Sequence, residues 1–99
     1  MKREIFDNYA TKVADEFGFP RELLFIKTKS RNYTNARHML YYLCSKRPIN
    51  VSSIMSYMGE NGYDIGHSSV IYGIKQTERR MREDRDYIRV INRIQTNVQ

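Results

Sequence analysis

The sequence predicts a small all-α domain carrying a helix-turn-helix, and three observations lead there. Apolar residues recur at the three-to-four spacing of helices, and nothing alternates with the period of a strand. The length of 99 residues with 40% apolar content fits one core of modest size and leaves no room for a second domain. In the second half, two helical stripes flank a glycine-rich segment.

Taken in order, Ile5, Phe6, Tyr9, Ala10, Val13, Ala14 and Phe17 form one stripe, which predicts a helix over about residues 3–17. Gly18 supplies its C-terminal stop, and Pro20 opens a brief helical turn through Phe25 that sets Leu23 and Leu24 against the core. The polar run Lys27-Thr28-Lys29-Ser30-Arg31 reads as a basic loop. Tyr33, Ala36, Leu40, Leu43 and Cys44 mark the buried side of the next helix, flanked by Met39. That helix must finish by Arg47, because Pro48 disfavours helical backbone in the residue before it.

Asn50 offers a side-chain oxygen to cap a short helix through Val51, Ile54, Met55 and Met58, with Gly59 as its stop. The segment from Gly59 to Gly66 holds three glycines and cannot continue it. A longer helix follows from about Ser68 with Val70, Ile71, Ile74 and Met81 inward. Around Asp84 to Asp86 the charge density predicts a break, after which Tyr87, Ile88, Ile91 and Ile94 form a last amphipathic helix whose end frays beyond Thr96.

The net charge of +6 is unevenly spread. Residues 1–26 carry −1, residues 27–82 carry +7 and residues 83–99 balance. Such clustering favours a polyanion met by one region of the domain, since a positive patch attracts phosphates and releases their counterions. An idle basic surface is the blander alternative. The single cysteine and the charged first twenty residues point to a reduced, intracellular chain without a signal segment, in the cytoplasm at the nucleoid, or in a host's cytoplasm for a viral protein.

On a helical wheel the inward residues of the 68–82 helix turn Ser69, Tyr72, Gln76 and Arg79 to the opposite side, with Ser68 and Lys75 flanking. Hydroxyls, an amide and a tyrosine suit base edges and phosphates. Gly73 inside this helix costs about 1 kcal/mol relative to Ala, which predicts close approach of another helix or of a phosphate backbone, packing being the commoner reason. The short 51–58 helix would support and the longer one would read DNA.

Two motifs stand out: Lys27-Thr28-Lys29-Ser30-Arg31 followed by Ala36-Arg37-His38-Met39, and Gly66-His67-Ser68-Ser69-Val70-Ile71-Tyr72. Over about residues 9–82 they resemble the C-terminal DNA-binding domain of the bacterial replication initiator DnaA, the first being similar to that family's basic loop and Arg-Gln-Met helix start and the second to its Asp-His-Ser/Thr-Thr-Val-Leu-His signature. The resemblance implies a Trp-repressor-like helix-turn-helix fold that binds double-stranded DNA. His67, Ser68 and Ser69 match the base-reading helix start, and Lys29 matches an arginine that enters the minor groove, a role Arg31 could also take. Arg37 and His38 match phosphate-holding positions, and the amides at Val51 and Ser52 would meet another phosphate. Tyr72, Lys75, Gln76 and Arg79 complete the expected contact set.

Gly66 stands where the signature has Asp, and the turn is a few residues longer, so the resemblance implies DNA binding without the family's usual sequence preference. Asp64 would supply the missing acceptor only if the loop folds back.

Blander readings stand beside these: Ser68 and Ser69 are favoured N-cap residues, His67 can cap or lie exposed, and Arg79, Arg80 and Arg82 fit a solvated helix end. Tyr41, Tyr42 and Tyr57 suit core or rim.

No catalysis, cofactor or metal is expected. One Cys and two His without CxxC or HExxH spacing argue against zinc, Cys44 and His38 fall on different helix faces, and no GxxxxGK[ST] phosphate loop occurs. The expected function is that of a stand-alone, non-catalytic reader of duplex DNA serving replication initiation or transcription, with other replication or regulatory proteins as further candidate partners. A protein-interaction module that reuses the fold is the alternative, and RNA binding a weaker third.

Overall fold

The computed structural model describes residues 1–28 and 30–98 and is all-helical among them. Helix α1 spans Lys2–Phe17, a 3₁₀ turn spans Arg21–Phe25, α2 spans Arg31–Ser45, α3 spans Val51–Glu60, α4 spans His67–Glu83 and α5 spans Arg85–Asn97. No helix among the described residues is long and apolar enough to cross a membrane.

Local chemistry explains most boundaries. Gly18 adopts φ 78°, its N–H reaches the Asp15 carbonyl and the Phe19 N–H reaches Ala14, a paired arrangement that satisfies two of the last carbonyls of α1. Asn50 Oδ1 accepts from the Ser53 N–H at 2.9 Å and starts α3, as its position before Val51 predicts. Asp84 separates α4 from α5 by accepting from the Asp86 N–H at 2.9 Å, so the break falls where the acidic run predicts it.

Other boundaries differ from expectation. Gly59 lies inside α3 instead of ending it; the chain reverses two residues past that helix at Gly62, whose φ of 87° is the left-handed conformation glycine adopts without strain. Arg31 is the first residue of α2, outside the basic loop. Past Thr96, where fraying is expected, Asn97 and Val98 are held: α5 runs to Asn97, Val98 is buried, and Arg47 donates to its carbonyl at 3.3 Å and to the Tyr9 hydroxyl at 3.2 Å.

Helix α2 is the centre of the fold, packing on α1 and on α4. Ala36, Met39, Leu40, Leu43 and Cys44 are all buried, so Met39 belongs to the core and not to its flank. Burial pushes the Cys44 thiol up, leaving it an inert apolar group. Phe6, Tyr9, Ala10, Val13 and Ala14 of α1 close one side, while Ile91 and Ile94 of α5 seal an end. Ile88, read as inward, is 37% exposed.

The innermost residues of α4 are Val70, Gly73 and Thr77, with Ile71, Ile74 and Met81 half-buried beside them. The helix is rotated from its apolar stripe because glycine lets α2 come close. A Cβ at position 73 would sit 2.7 Å from both His38 Cδ2 and Tyr41 Cδ2. Gly73 thus serves helix–helix packing, and that contact positions the polar face of α4.

Candidate nucleic-acid interface

The basic loop is held from below by an arginine that sequence alone places on the surface. Arg37 is only 4% exposed. Its Nη1 donates to the carbonyls of Leu24 and Ile26, both at 3.2 Å, and its Nη2 to the Thr34 hydroxyl at 3.3 Å and the Thr28 carbonyl at 3.5 Å. A guanidinium with five donors in a rigid fork suits several loop carbonyls at once. This corrects the expectation that Arg37 grips phosphate: its donors are committed to shaping the loop.

Tyr63, from the turn between α3 and α4, completes the support. The Arg37 guanidinium lies 4.7 Å and the Lys27 ammonium 5.6 Å from its ring centroid. Turn and basic loop are thereby joined across a gap of more than thirty residues in sequence. Sequence reasoning missed Tyr63; an aromatic residue inside an otherwise polar glycine turn was the available signal.

A groove of about 660 Å³ opens above this support, with Thr28 and Thr34 on one bank and Ser68, Ser69 and Tyr72 on the other. His38 and Tyr41 form its floor with Arg37, Tyr63 and Ile65. Ser68, Ser69 and His67 are exposed at the start of α4, whose N-cap is Gly66 without a side-chain hydrogen bond. Neither serine hydroxyl is spent on a cap, and the first amides of α4 lack partners within the helix. The positive end of the α4 dipole therefore faces an adjoining cleft shared with Lys27 and Thr28. Asp64 lines that cleft beside Gly66 and Ser69, its Oδ1 folded back towards Gly59 of α3.

A second groove of about 250 Å³ runs between α2 and α4, lined by Arg31, Thr34, Asn35, His38, Tyr72, Gln76 and Arg80. Tyr72 is 58% exposed and meets His38 edge-on, ring centroids 5.8 Å apart, so this pair is a wall common to both grooves. Burial, with the charges of Arg37 and Arg80 added, pushes the His38 imidazole down to about 4. His38 is therefore neutral near pH 7, and at the phosphate-holding position that the resemblance implies for it the fold presents a neutral, half-buried imidazole whose Nδ1 is buried without a partner.

Lys75 and Arg79 are exposed on the outer face of α4, and Gln76 is half-buried in the second groove. Val51 is half-buried and Ser52 exposed at the start of α3, and neither lines the two grooves. Lys29 lies outside the described residues. The loop, the start of α2 and the polar face of α4 are thus brought together, while the start of α3 stands apart.

Ion pairing sharpens the picture. Among the described residues Arg3 pairs with Glu60, Arg21 with Asp7, Arg89 with Asp86 and Arg93 with Glu16, whereas Arg31, Arg79 and Arg80 pair with no carboxylate. Neither groove has a carboxylate among its lining residues. No group of three or more His, Cys, Asp or Glu among the described residues could hold a metal ion. No protein-family model matches the chain, and no curated protein matches it.

Proposed function

We propose that the chain binds duplex DNA without catalysis, the polar face of α4 entering the major groove while the loop from Lys27 and the start of α2 hold the adjoining backbone. The observation that carries this reading is the juxtaposition of the unpaired Arg31 and Arg80 with the exposed Ser68 and Ser69 hydroxyls around two grooves that no carboxylate lines, beside the cleft that the start of α4 shares with Lys27, Thr28 and Asp64. Groups of that kind supply phosphate contacts and base-edge hydrogen bonds. The similarity of the His67 segment and of the basic loop to the DnaA C-terminal domain supports the same reading, with His67, Ser68 and Ser69 as base readers. A helix-turn-helix made by α3 and α4 belongs to this proposal, as does a task in replication initiation or transcription.

The test is selection of bound fragments from random duplex DNA, followed by affinity measurements across a salt series. An enriched word, and a log-log slope of about −0.9 per neutralised phosphate, is the expected result. A flat salt response would contradict it and favour the protein-interaction reading, for which the surface between Tyr42, Met81, Arg85 and half-exposed Ile88 is the available place.

A further inference from the structure

The second groove is built from two facing stripes. Arg31 and His38 each lie three or four residues from the adjacent pair Thr34 and Asn35 along one face of α2, and Tyr72, Gln76 and Arg80 follow at four-residue steps along α4. Every one of these side chains is polar, an arrangement that contributes nothing to a core. At about 250 Å³ the space lies below the roughly 300–1,000 Å³ of pockets that enclose drug-sized ligands, and suits a small group.

Its charge is one-sided. Arg80 is half-buried, its Nε is shielded without an acceptor, and its charge acts on His38 and Tyr87. Arg31 sits at the mouth of the same groove, exposed and without an ion pair among the described residues. Partly burying a guanidinium with no counter-charge costs free energy, which an anion in the groove would recover. His38 is neutral and leaves the attraction of an anion to the two arginines, while the Asn35 and Gln76 amides and the Thr34 hydroxyl offer hydrogen bonds to the oxygens of such a group.

We infer that this groove is a seat for a single phosphodiester of the DNA backbone, held between Arg31 and Arg80 and flanked by Gln76 and Asn35. The inference rests on the duplex-binding reading and adds to it a register-setting contact. With one phosphate fixed here, the α4 face bearing Ser69 and Tyr72 enters the neighbouring groove of the duplex at a defined depth. Guanidinium pairs are suited to this because each fork presents paired donors to phosphate oxygens.

The experiment uses duplexes in which single phosphates are replaced, one position at a time, by neutral methylphosphonates. They are titrated with the wild-type protein, Arg31→Gln, Arg80→Gln and the double variant over a salt series. Each single variant is expected to weaken binding about tenfold on all sequences alike and to reduce the salt slope by about one phosphate's worth. One methylphosphonate position should cost the wild type affinity and cost the double variant nothing further. Arg31 lies exposed at a helix start, so Arg31→Gln reports on the seat even where Arg80→Gln loses stability. Variants that keep the wild-type slope and the wild-type methylphosphonate profile overturn the seat and leave the duplex reading standing. Weakening confined to preferred sequences overturns it too, by making these residues base contacts. A wild-type protein with no salt-dependent duplex binding overturns both.

Discussion

The two sides of this molecule treat arginine in opposite ways. On α1, the 3₁₀ turn and α5, Arg3, Arg21, Arg89 and Arg93 each reach a carboxylate, with N–O distances of 2.7 to 3.5 Å. The pairing holds the Glu16 and Glu60 carboxyls below the usual carboxylate range. Around the loop, α2 and α4, Arg31, Arg79 and Arg80 have no such partner among the described residues. A net charge of +6 is thus a poor description of what a polyanion would meet. Among the described residues four of the five arginines of α1, the 3₁₀ turn and α5 are cancelled locally, Arg85 being the exception, whereas no arginine of α2 or α4 pairs with a carboxylate, and those two helices also carry the grooves and the α4 start.

The largest effect that would break this contrast is structural. Gly73→Val places a branched side chain where even a Cβ would lie 2.7 Å from His38 and Tyr41, so α2 and α4 must separate. We expect a loss of about 2–4 kcal/mol in urea unfolding, with duplex affinity falling as both grooves lose a wall; an unchanged midpoint would refute the packing account.

Arg37→Leu comes next. It strands the carbonyls of Leu24, Ile26 and Thr28 and should cost about 2 kcal/mol. Duplex binding should weaken on every sequence although no exposed charge has been removed, whereas full affinity would show that loop shape does not matter.

Ser69→Ala sharpens the comparison within the open side, weakening preferred sites by about 1–3 kcal/mol while sparing random DNA. Equal weakening on both would make Ser69 a phosphate contact.

A pH effect follows from His38. Its folded value of about 4 lies below the ordinary 6.5, so between these values the unfolded chain takes up a proton that the fold excludes. Stability must therefore fall as pH falls from about 6.5 towards 4, with no contribution from this group at higher pH. His38→Phe should flatten that part of the profile, read from urea midpoints; an unaltered profile would mean that the imidazole is not held neutral.

How much of this was legible in the sequence depended on the range of the interaction. Gly18, Asn50 and Asp84 act within a few residues of themselves, and the ends of α1, the start of α3 and the α4–α5 break were readable for that reason. Exposure of Ser68, Ser69, Tyr72 and Lys75 followed from helical periodicity alone. Arg37 was misread because, apart from the Thr34 hydroxyl, its partners are carbonyls 9 to 13 residues away, brought near by the 3₁₀ turn, and nothing local marks an arginine as buried. Tyr63 and Arg80 likewise gain their places only when the turn folds back on the loop and α4 packs on α2. Gly59 resembled a stop as strongly as Gly62 did; only the backbone reveals which of them adopts positive φ.

The most direct test removes four positive charges from one side and, separately, four from the other. One variant carries Arg31→Gln, Lys75→Gln, Arg79→Gln and Arg80→Gln, and the other carries Arg3→Gln, Arg21→Gln, Arg89→Gln and Arg93→Gln, so that both have the same net charge. Measured against duplex DNA over a salt series, the first should lose most of its affinity and several units of salt slope, while the second should bind close to wild type. Equal losses in the two variants would mean that the duplex senses only overall charge, and would contradict an interface on the α2–α4 side.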